Sequence, residues 1–252
     1  MTRKQHCLII GGTHGIGREF ARTCARADQV VSVIGRRLPS ETDRRMPQVR
    51  YWTADLLEWE RLSIVLTEIV DRQGKLNSLV FFQRYRGEED AWAGEMETSL
   101  TATKRIIERL VGDFSRAGER SIVVVGSIAG HFIVGEQPLG YHVAKAALNQ
   151  MVRYYAVALG PKGIRVNAVS PGTVLKEGSR RSADLHKRIV PLARMGRSDD
   201  VIQAIEFLCS PKASFITGQE IVVDGGLSLR SQESLARQLT SPEESALSGA
   251  RR

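Results

Sequence analysis

A tyrosine and a lysine stand four positions apart in the segment YHVAK, as Tyr141 and Lys145. On a helix, residues at i and i+4 lie on the same face, one turn from each other. A phenol has an ordinary pKa of about 10 and exchanges protons poorly at neutral pH unless nearby positive charge favours its anion. A lysine one turn away supplies that charge, so the pair fits general acid–base chemistry. The same spacing also fits an ordinary half-exposed pair on a helix surface.

A serine precedes this pair, in the segment IVVVGSIAG. Ser127 follows a run of β-branched residues and is therefore expected at the carboxyl end of a strand. Open parallel sheets bind their ligands in the crevice at that edge. Ser127 is accordingly predicted in the same crevice as the tyrosine and the lysine.

A glycine-rich loop opens the chain, in the segment IIGGTHGIG. It follows the first apolar run and leads into a helical pattern, so its free backbone N–H groups and the positive helix end suit a pyrophosphate. Gly11 would permit the tight turn, Gly15 the approach of phosphate oxygens, and Gly17 close packing of helix on sheet. Glycine-rich turns also end strands for purely structural reasons.

Two arginines end the second apolar run, VVSVIGRR. Folds that prefer NAD place an acidic residue at that strand end, on the ribose 2′-hydroxyl. Gly35 stands there instead, followed by Arg36 and Arg37, which would offer planar bidentate donors to a 2′-phosphate. The pattern predicts a preference for NADP(H) over NAD(H). Two solvated arginines in a loop are the alternative.

The elements that must position these groups alternate along the chain. An α/β fold is predicted, a single-domain, Rossmann-type, doubly wound parallel sheet of about seven strands. The predicted strands are Cys7-Ile10, Val30-Ile34, Val49-Thr53, Ser78-Phe82, Ile122-Val125, Arg165-Val169 and Glu220-Val223. The predicted helices are Ile16-Ala27, Glu58-Gln73, Gly94-Ser115, Leu139-Leu159 and Asp199-Leu208, with a less regular stretch at Ser182-Ile189.

Composition limits the class of protein. The 252 residues fit one domain over 1–230, and the polar segment 231–252 is either a frayed or partner-docked tail or a surface helix. Three scattered cysteines favour reduced thiols and no metal site. The formal net charge of +8 is spread in short pairs, so a solvated basic surface is expected, with no nucleic acid and no membrane as partner. A cytoplasmic protein is expected.

Together the motifs resemble those of the short-chain dehydrogenase/reductase family, in its roughly 250-residue form, and its 3-oxoacyl-acyl carrier protein reductase-like members. The resemblance runs from Lys4 to about Leu229. It rests on GGTHGIG, the Asp55-Leu56 pair, GSIAG, YHVAK, RVNAVSPGTV and the closing stretch that ends IVVDGG.

The resemblance implies a carbonyl–alcohol oxidoreductase acting on a small-molecule substrate. Tyr141 would exchange the proton, Ser127 would hold the substrate oxygen, and Lys145 would bind the nicotinamide ribose and lower the pKa of Tyr141. Asp55 would accept from the adenine amino group. The expected cofactor-binding set is Gly11, Thr13, His14, Gly15, Ile16, Gly17, Arg36, Arg37, Asp55, Leu56, Gln83, Tyr141, Lys145, Pro171, Gly172, Thr173 and Val174.

Two segments depart from the family. Where the family carries Asn-Asn-Ala-Gly after the fourth strand, this chain reads Phe81 to Arg84. The two rings and the charged Arg84 are expected to reshape the cofactor cleft, or Gln83 to take over some of its polar contacts. Ser99 stands where the family has a helical asparagine in its proton relay. His14 lies where NADP-preferring members are often basic, and it also fits an ordinary surface residue.

These departures leave a second function open, a catalytically weak NADP(H)-binding sensor or scaffold. The substrate lid that the family places after the PG motif corresponds to residues 175–194. Its basic excess either attracts an anionic substrate, such as a phosphopantetheine-bound acyl group or a nucleotide sugar, or simply faces water. The family also implies a homo-oligomer, a dimer or tetramer, formed through the helices predicted at Gly94-Ser115 and Leu139-Leu159 and through the last strand.

Overall fold

Seven runs rich in β-branched residues pair into one sheet. The structure, a computed structural model, describes residues 4–87, 89–175 and 183–240. The strands are β1 His6–Ile10, β2 Val30–Gly35, β3 Val49–Thr53, β4 Ser78–Phe81, β5 Ser121–Val125, β6 Arg165–Pro171 and β7 Glu220–Val223. All the pairings are parallel, which confirms the predicted fold class, and each predicted strand boundary lies within two residues of the observed one.

The strand order is β3-β2-β1-β4-β5-β6-β7. The chain moves outward from β1 in one direction, returns to pair β4 with β1, and then moves outward in the other direction. Parallel sheets of this kind have a crevice outside the carboxyl ends of the strands at the point of reversal. Here that point lies between β1 and β4.

Helices cover both faces of the sheet. They are α1 Gly15–Arg26, α2 Glu41–Arg44, α3 Trp59–Gln73, α4 Ala91–Glu95, α5 Ala102–Leu110, α6 Leu139–Leu159, α7 Ala183–Ile189, α8 Ser198–Cys209 and α9 Gln232–Thr240. The short helix α2 was not expected. It begins where the Ser40 hydroxyl accepts from the Asp43 amide, and this cap is the local reason for the turn.

The helix predicted over Gly94-Ser115 is interrupted. It begins three residues earlier, at Ala91, because Asp90 caps it by accepting from the amides of Trp92 and Ala93. A π-helical turn, Met96–Thr101, then separates α4 from α5. Such turns often lie at functional sites, and this one contains Ser99.

The two faces of the sheet carry separate apolar cores. Phe81 is fully buried in the core on the α3, α5 and α6 side, whereas Phe82 packs in the core on the α1 and α8 side. The Phe82 ring lies 5.7 Å from that of Phe20. Consecutive residues of a strand point to opposite faces. Both rings thus pack in the cores, and the Phe82 ring also lies under the glycine loop, where a Cβ on Gly17 would come within 3.1 Å of it. The effect of this segment on the cofactor cleft stays a prediction.

The segment after β7 forms helix α9 against α7. Gln238 donates to the carbonyl oxygen of Arg188 at 2.9 Å, and the Arg188 guanidinium donates to the Leu239 carbonyl, also at 2.9 Å. The predicted tail therefore contains a helix over Gln232–Thr240, and its remaining residues, 241–252, lie outside the described residues.

Within the described ranges, no helix combines the length and apolarity needed to cross a membrane. The three cysteines are free thiols, and Cys7 and Cys24 are buried in the core on the α1 side.

Candidate active site

The glycine loop bends where β1 passes into α1. Gly11 has φ +79°, and a Cβ there would lie 2.8 Å from the backbone nitrogen of Gln83. A Cβ on Gly17 would lie 2.8 Å from the Gly11 carbonyl oxygen. These two glycines therefore allow the loop to pack against β4 and against its own helix. A Cβ on Gly15, at φ +57°, would meet no atom of the described residues within 4 Å beyond its chain neighbours, so there is free space beside this residue at the start of α1.

Thr13 fills the place beside the end of β2. Its side chain is buried, and a Cβ on Gly35 would lie 2.5 Å from its Cγ2. A larger residue at position 35 is thus excluded unless Thr13 moves. Its hydroxyl lies 3.1 Å from Nδ1 of His14, which is exposed at the start of α1.

Arg36 and Arg37 follow β2 and are both exposed. In the described part of the chain neither takes part in an ion pair. Two permanently charged guanidinium groups are therefore available at the β2 end of the crevice.

Asp55 and Leu56 follow β3. One carboxylate oxygen of Asp55 accepts from the Leu57 amide at 3.0 Å, which fixes the side chain in a turn. Leu56 packs against the core on the α3 side, as Ile16 of the glycine loop packs against the other core. Leu56 and Ile16, two apolar members of the predicted cofactor-binding set, therefore anchor the loop after β3 and the glycine loop to the cores.

Ser127, Tyr141 and Lys145 belong to neighbouring elements at the carboxyl edge. Ser127 begins a 3₁₀ turn after β5, where its hydroxyl oxygen accepts from the Ala129 amide at 3.2 Å. Lys145 is only 3% exposed, and its Nζ donates to the carbonyl of Val125, the last residue of β5, at 3.0 Å. That Nζ lies 5.6 Å from the centre of the Tyr141 ring.

Burial lowers the pKa of Lys145 toward neutral pH. Loss of hydration lowers the pKa of Lys145 to about 8, the Glu95 carboxylate opposes this change, and the Arg84 guanidinium adds to it. The ammonium next to the phenol therefore titrates near neutral to mildly alkaline pH.

The carboxylate of Glu95 is a site group that the sequence did not suggest. It is 1% exposed at the end of α4 and accepts from the Ser99 hydroxyl at 2.7 Å. Glu95 and Ser99 have helical i,i+4 spacing, which is the only signal in the sequence that links them. Ser99 thus supports a buried acid behind Lys145, in the place of the family's asparagine.

Gln83 joins the end of β4 to α5. Its Nε2 donates to the Thr103 hydroxyl at 2.7 Å, and that hydroxyl donates to the Ser99 carbonyl at 2.7 Å. The Oε1 of Gln83 is buried and has no hydrogen-bond partner among the described residues. A buried acceptor of this kind is costly unless a ligand or water satisfies it.

Arg84, the next residue, lies on the Tyr141 ring. Its guanidinium carbon is 4.6 Å from the ring centre, and its Nη2 donates to Gln137 at 3.0 Å. From the sequence Arg84 was only a departure from the family. Its contact with the tyrosine depends on loop geometry that no local pattern encodes.

The segment from Pro171 to Val174 leaves the end of β6. The Gly172 amide donates to the Val223 carbonyl at 3.0 Å, and a Cβ on Gly172 would lie 2.6 Å from that of Asp224. Thr173 accepts from the Gly196 amide at 3.1 Å. The segment is thus held between the end of β7 and Gly196, across the crevice from the glycine loop.

A second polar cluster, also missed from the sequence, supports the Ser127 turn. Glu220 accepts from His131 Nε2 at 2.7 Å and from Asn149 Nδ2 at 2.9 Å, and it also accepts from the Ser170 hydroxyl. His131 follows the turn that Ser127 begins, and Asn149 lies one helical turn after Lys145. The cluster ties α6, β6 and β7 together behind the reactive groups.

Comparison with known proteins extends these observations. A profile described as "Enoyl-(Acyl carrier protein) reductase" matches residues 11–228. The mouse "Dehydrogenase/reductase SDR family member 4" is 31% identical over 87% of this chain and 85% of its own length. "3-oxoacyl-[acyl-carrier-protein] reductase FabG" of Thermotoga maritima is 29% identical over 88% of this chain and 96% of its own.

Solved structures share the fold. A short-chain dehydrogenase from Leptospira borgpetersenii with bound NAD+ has a TM-score of 0.79 at 23% identity, covering 90% of this chain and 93% of its own. The structure described as "ElxO with NADP Bound" has a TM-score of 0.78 at 24% identity, over 90% and 100%. The matched profile spans most of the chain, and the sheet has the same architecture. The chain belongs to the short-chain dehydrogenase/reductase family, whose members are oxidoreductases.

Proposed function

We propose that this chain is an NADP(H)-dependent oxidoreductase that interconverts a carbonyl group and a secondary alcohol, with Tyr141 as the general acid–base. The proposal rests mainly on the position of the Lys145 side chain. Its ammonium is buried, held by the carbonyl of Val125 and 5.6 Å from the Tyr141 ring, beside the turn that begins with Ser127.

Each side chain then has a chemical task. The Ser127 oxygen already accepts from the Ala129 amide, so its own proton is free to be donated to the substrate oxygen. In the direction of reduction Tyr141 gives its proton to that oxygen, and in the direction of oxidation it takes the proton from the hydroxyl. The ammonium of Lys145 favours the phenolate that remains after proton donation. The nicotinamide supplies or accepts the hydride when it is bound.

The residues present fit a dinucleotide. The open space around Gly15 suits a pyrophosphate at the start of α1, and the unpartnered Oε1 of Gln83 suits a ribose hydroxyl donor. Arg36 and Arg37 favour the 2′-phosphate of NADP(H), and Gly35 offers no competing carboxylate. Among the structural relatives, one is described with NAD+ and one with NADP, so the arginines carry the preference.

The catalytic proposal is tested by NADPH oxidation over a panel of carbonyl compounds, with Tyr141→Phe as the matched variant. This change removes the hydroxyl and keeps the ring. We expect turnover to fall by at least about a hundredfold while NADPH binding, followed by nicotinamide fluorescence, is kept. Equal turnover by the two proteins would contradict the assignment of Tyr141. NADPH binding without turnover of any compound would instead indicate the sensor or scaffold.

The cofactor proposal is tested with Arg36→Ala, Arg37→Ala and the double variant. The control is Arg116→Ala, because Arg116 is also exposed but precedes β5 at the opposite edge of the sheet. Loss of hydrogen bonds to a charged phosphate is expected to weaken NADPH binding about tenfold or more and to leave NADH binding nearly unchanged. A parallel loss for both cofactors would contradict a role in reading the 2′-phosphate.

We further propose that the substrate is anionic. In the described part of the predicted lid, Lys187 pairs with Asp184 and Arg194 pairs with Asp200. Arg188, in the same segment, donates to backbone carbonyls and has no ion pair among the described residues, so it contributes to the positive excess. The other basic residues of the lid, Lys176, Arg180 and Arg181, lie outside the described residues. Charge reversal of Arg180 and Arg181 should raise the substrate KM in a salt-dependent way, and an unchanged KM would contradict the proposal.

The chain is also proposed to form a homo-oligomer, dimer or tetramer, in the cytoplasm. Tyr154 and Val157 support this, since these large apolar side chains on α6 are 68% and 80% exposed and lie one helical turn apart. Sedimentation at micromolar concentration should show the oligomer, and a double change of both residues to aspartate should shift it toward monomer. A wild-type protein that sediments only as monomer would contradict the proposal.

A further inference from the structure

A permanent cation lies against the ring of the proposed acid–base. The Arg84 guanidinium carbon is 4.6 Å from the centre of the Tyr141 ring, closer than the 5.6 Å of the Lys145 ammonium. A guanidinium within about 6 Å of an aromatic ring is attracted to its face. Tyr141 is only 9% exposed, so this attraction acts in partly dehydrated surroundings.

The loop that carries Arg84 is held on both sides. A Cβ on either Gly87 or Gly94 would lie within 2.5 Å of the Tyr85 ring, so that ring fills the space between the loop and α4. On the other side, Gln137 accepts from Arg84 Nη2 at 3.0 Å. The guanidinium is therefore fixed over Tyr141 by contacts that do not involve the tyrosine.

The other charged groups near Tyr141 come from three elements. Lys145 and His142 lie on its own helix, Glu95 on α4, and Arg86 on the same loop as Arg84, within electrostatic range of the phenol. The Nε2 of His142 accepts from the Val134 amide at 2.9 Å, and its Nδ1 donates to the Pro138 carbonyl at 3.0 Å. These bonds define a neutral imidazole, which adds no positive charge.

The two cations that contact the ring differ in how they respond to pH. Burial lowers the pKa of Lys145 to about 8, so the ammonium is lost as the pH rises through mildly alkaline values. A guanidinium remains protonated throughout. Of the two cations over the Tyr141 ring, Arg84 is therefore the one that keeps its charge above pH 8.

We propose that Arg84 is an activating residue, a second and permanent cation that favours the phenolate form of Tyr141 and fixes the orientation of its ring. The inference rests on the proposed function, in which Tyr141 exchanges the proton. It also gives a task to a residue that stands where the family usually has glycine. Arg84 acts through the tyrosine and is a positioning residue, not a catalytic one.

The test compares Arg84→Gln with Arg84→Lys and with the control Arg116→Gln, because Arg116 is exposed and precedes β5 at the opposite edge of the sheet. The readout is the pH dependence of kcat/KM in the direction of alcohol oxidation. Because a nearby positive charge favours the anionic form of an acid, Arg84→Gln should move the pH profile to higher pH. Arg84→Lys should reverse part of this change, and Arg116→Gln should leave the profile unchanged.

A second readout needs no turnover. Phenolate absorbance is titrated in each protein and in its Tyr141→Phe counterpart, and the difference reports residue 141 alone. Arg84→Gln should move this difference titration to higher pH by the same amount. An unmoved titration, with NADPH binding retained as proof of folding, would overturn the inference even if turnover fell. If the titration moves but Tyr141→Phe turns over normally, the proposed function fails and the coupling stands.

Discussion

The Thr13 side chain limits which residue can stand at position 35, because it leaves room there only for glycine. The Thr13 side chain occupies the space beside the end of β2 in which an acidic residue would have to lie. The proposed cofactor preference would therefore depend on this packing contact as well as on the charges of Arg36 and Arg37. The sequence does not predict this contact between Thr13 and position 35, because it joins the glycine loop to the end of β2 through tertiary packing.

A first prediction follows for Gly35→Asp, the obvious change for converting the preference to NADH. Overpacking against Thr13 should lower the free energy of unfolding by about 1–3 kcal/mol and prevent the gain in NADH affinity. Adding Thr13→Ala removes Cγ2 and Oγ1, the two atoms closest to a Cβ at position 35. The double variant should therefore recover the free energy of unfolding and gain affinity for NADH. Thermal unfolding and NADH titration of the single and double variants provide the measurement. A single variant as stable as wild type would show that Thr13 yields freely.

Among the residues of the candidate site, the sequence predicts that Tyr141 and Lys145 lie together. It does not predict the residues that contact or influence them, Arg84 and Glu95. Tyr141 and Lys145 share a helix, so helical spacing alone placed them together. Arg84 contacts the same tyrosine from a loop 57 positions earlier, and Glu95 influences Lys145 from another helix. Contacts of that kind are set by tertiary packing, which no periodicity in a single sequence reports.

Among the elements, the turn between α4 and α5 was the main surprise. Apolar periodicity indicated one continuous helix from Gly94, because a π turn adds about one residue to a single turn and leaves the flanking pattern nearly intact. Within that turn the Ser99 carbonyl accepts from the Thr103 hydroxyl, and its own hydroxyl reaches Glu95. The long helix α6, which has no such interruption, was predicted with its observed bounds.

Helix α8 depends on one carboxylate at its start. Asp200 accepts from the Arg197 amide at 2.7 Å and forms two bonds of 2.7 Å with Arg194. The Arg194 hydrogen bonds are the main cause that lowers the pKa of Asp200 to about 2, against a partial opposing effect of burial. The charged form of Asp200 is therefore the one that stabilises the folded chain.

A second prediction concerns Asp200→Asn. Loss of the cap should lower the free energy of unfolding by about 1 kcal/mol at neutral pH. An unfolded aspartate has a pKa of about 3.9, so the contribution is complete above that value and is lost as the pH falls toward 2. Denaturant unfolding of wild type and variant across this range should show the difference shrinking. Asp199→Asn, in the same turn but exposed, is the control and should have little effect.

For the whole molecule, topology followed from the alternation of strands and helices with little ambiguity. Short β-branched runs separated by helical segments permit only parallel pairing with right-handed crossovers, and the resulting crevice lies at the carboxyl edge. The docking of α9 on α7 was left open, because the contact is made by Arg188 and Gln238 through backbone carbonyls that any sequence possesses.

A third prediction tests this docking. Ending the chain at Ser231 removes α9 and with it the bonds that Arg188 makes to Leu239 and Gln238. Backbone amides of α7 should then exchange with solvent about tenfold faster, since each lost hydrogen bond is worth about 1 kcal/mol. Hydrogen exchange over residues 183–189 measures this, with the amides of β5 as the internal reference. Unchanged exchange in α7 would show that α9 does not hold it.

The positions of Phe81 and Phe82 limit where residues can be inserted into or deleted from the chain. One ring anchors each face of the sheet, and a shift of a single residue would send both to the wrong side. Deletion or insertion of one residue inside β4 should therefore abolish folding, whereas the exposed positions around Glu89 just beyond it are free to lengthen. Changes in chain length near this site should thus be tolerated only in the loop ahead of α4.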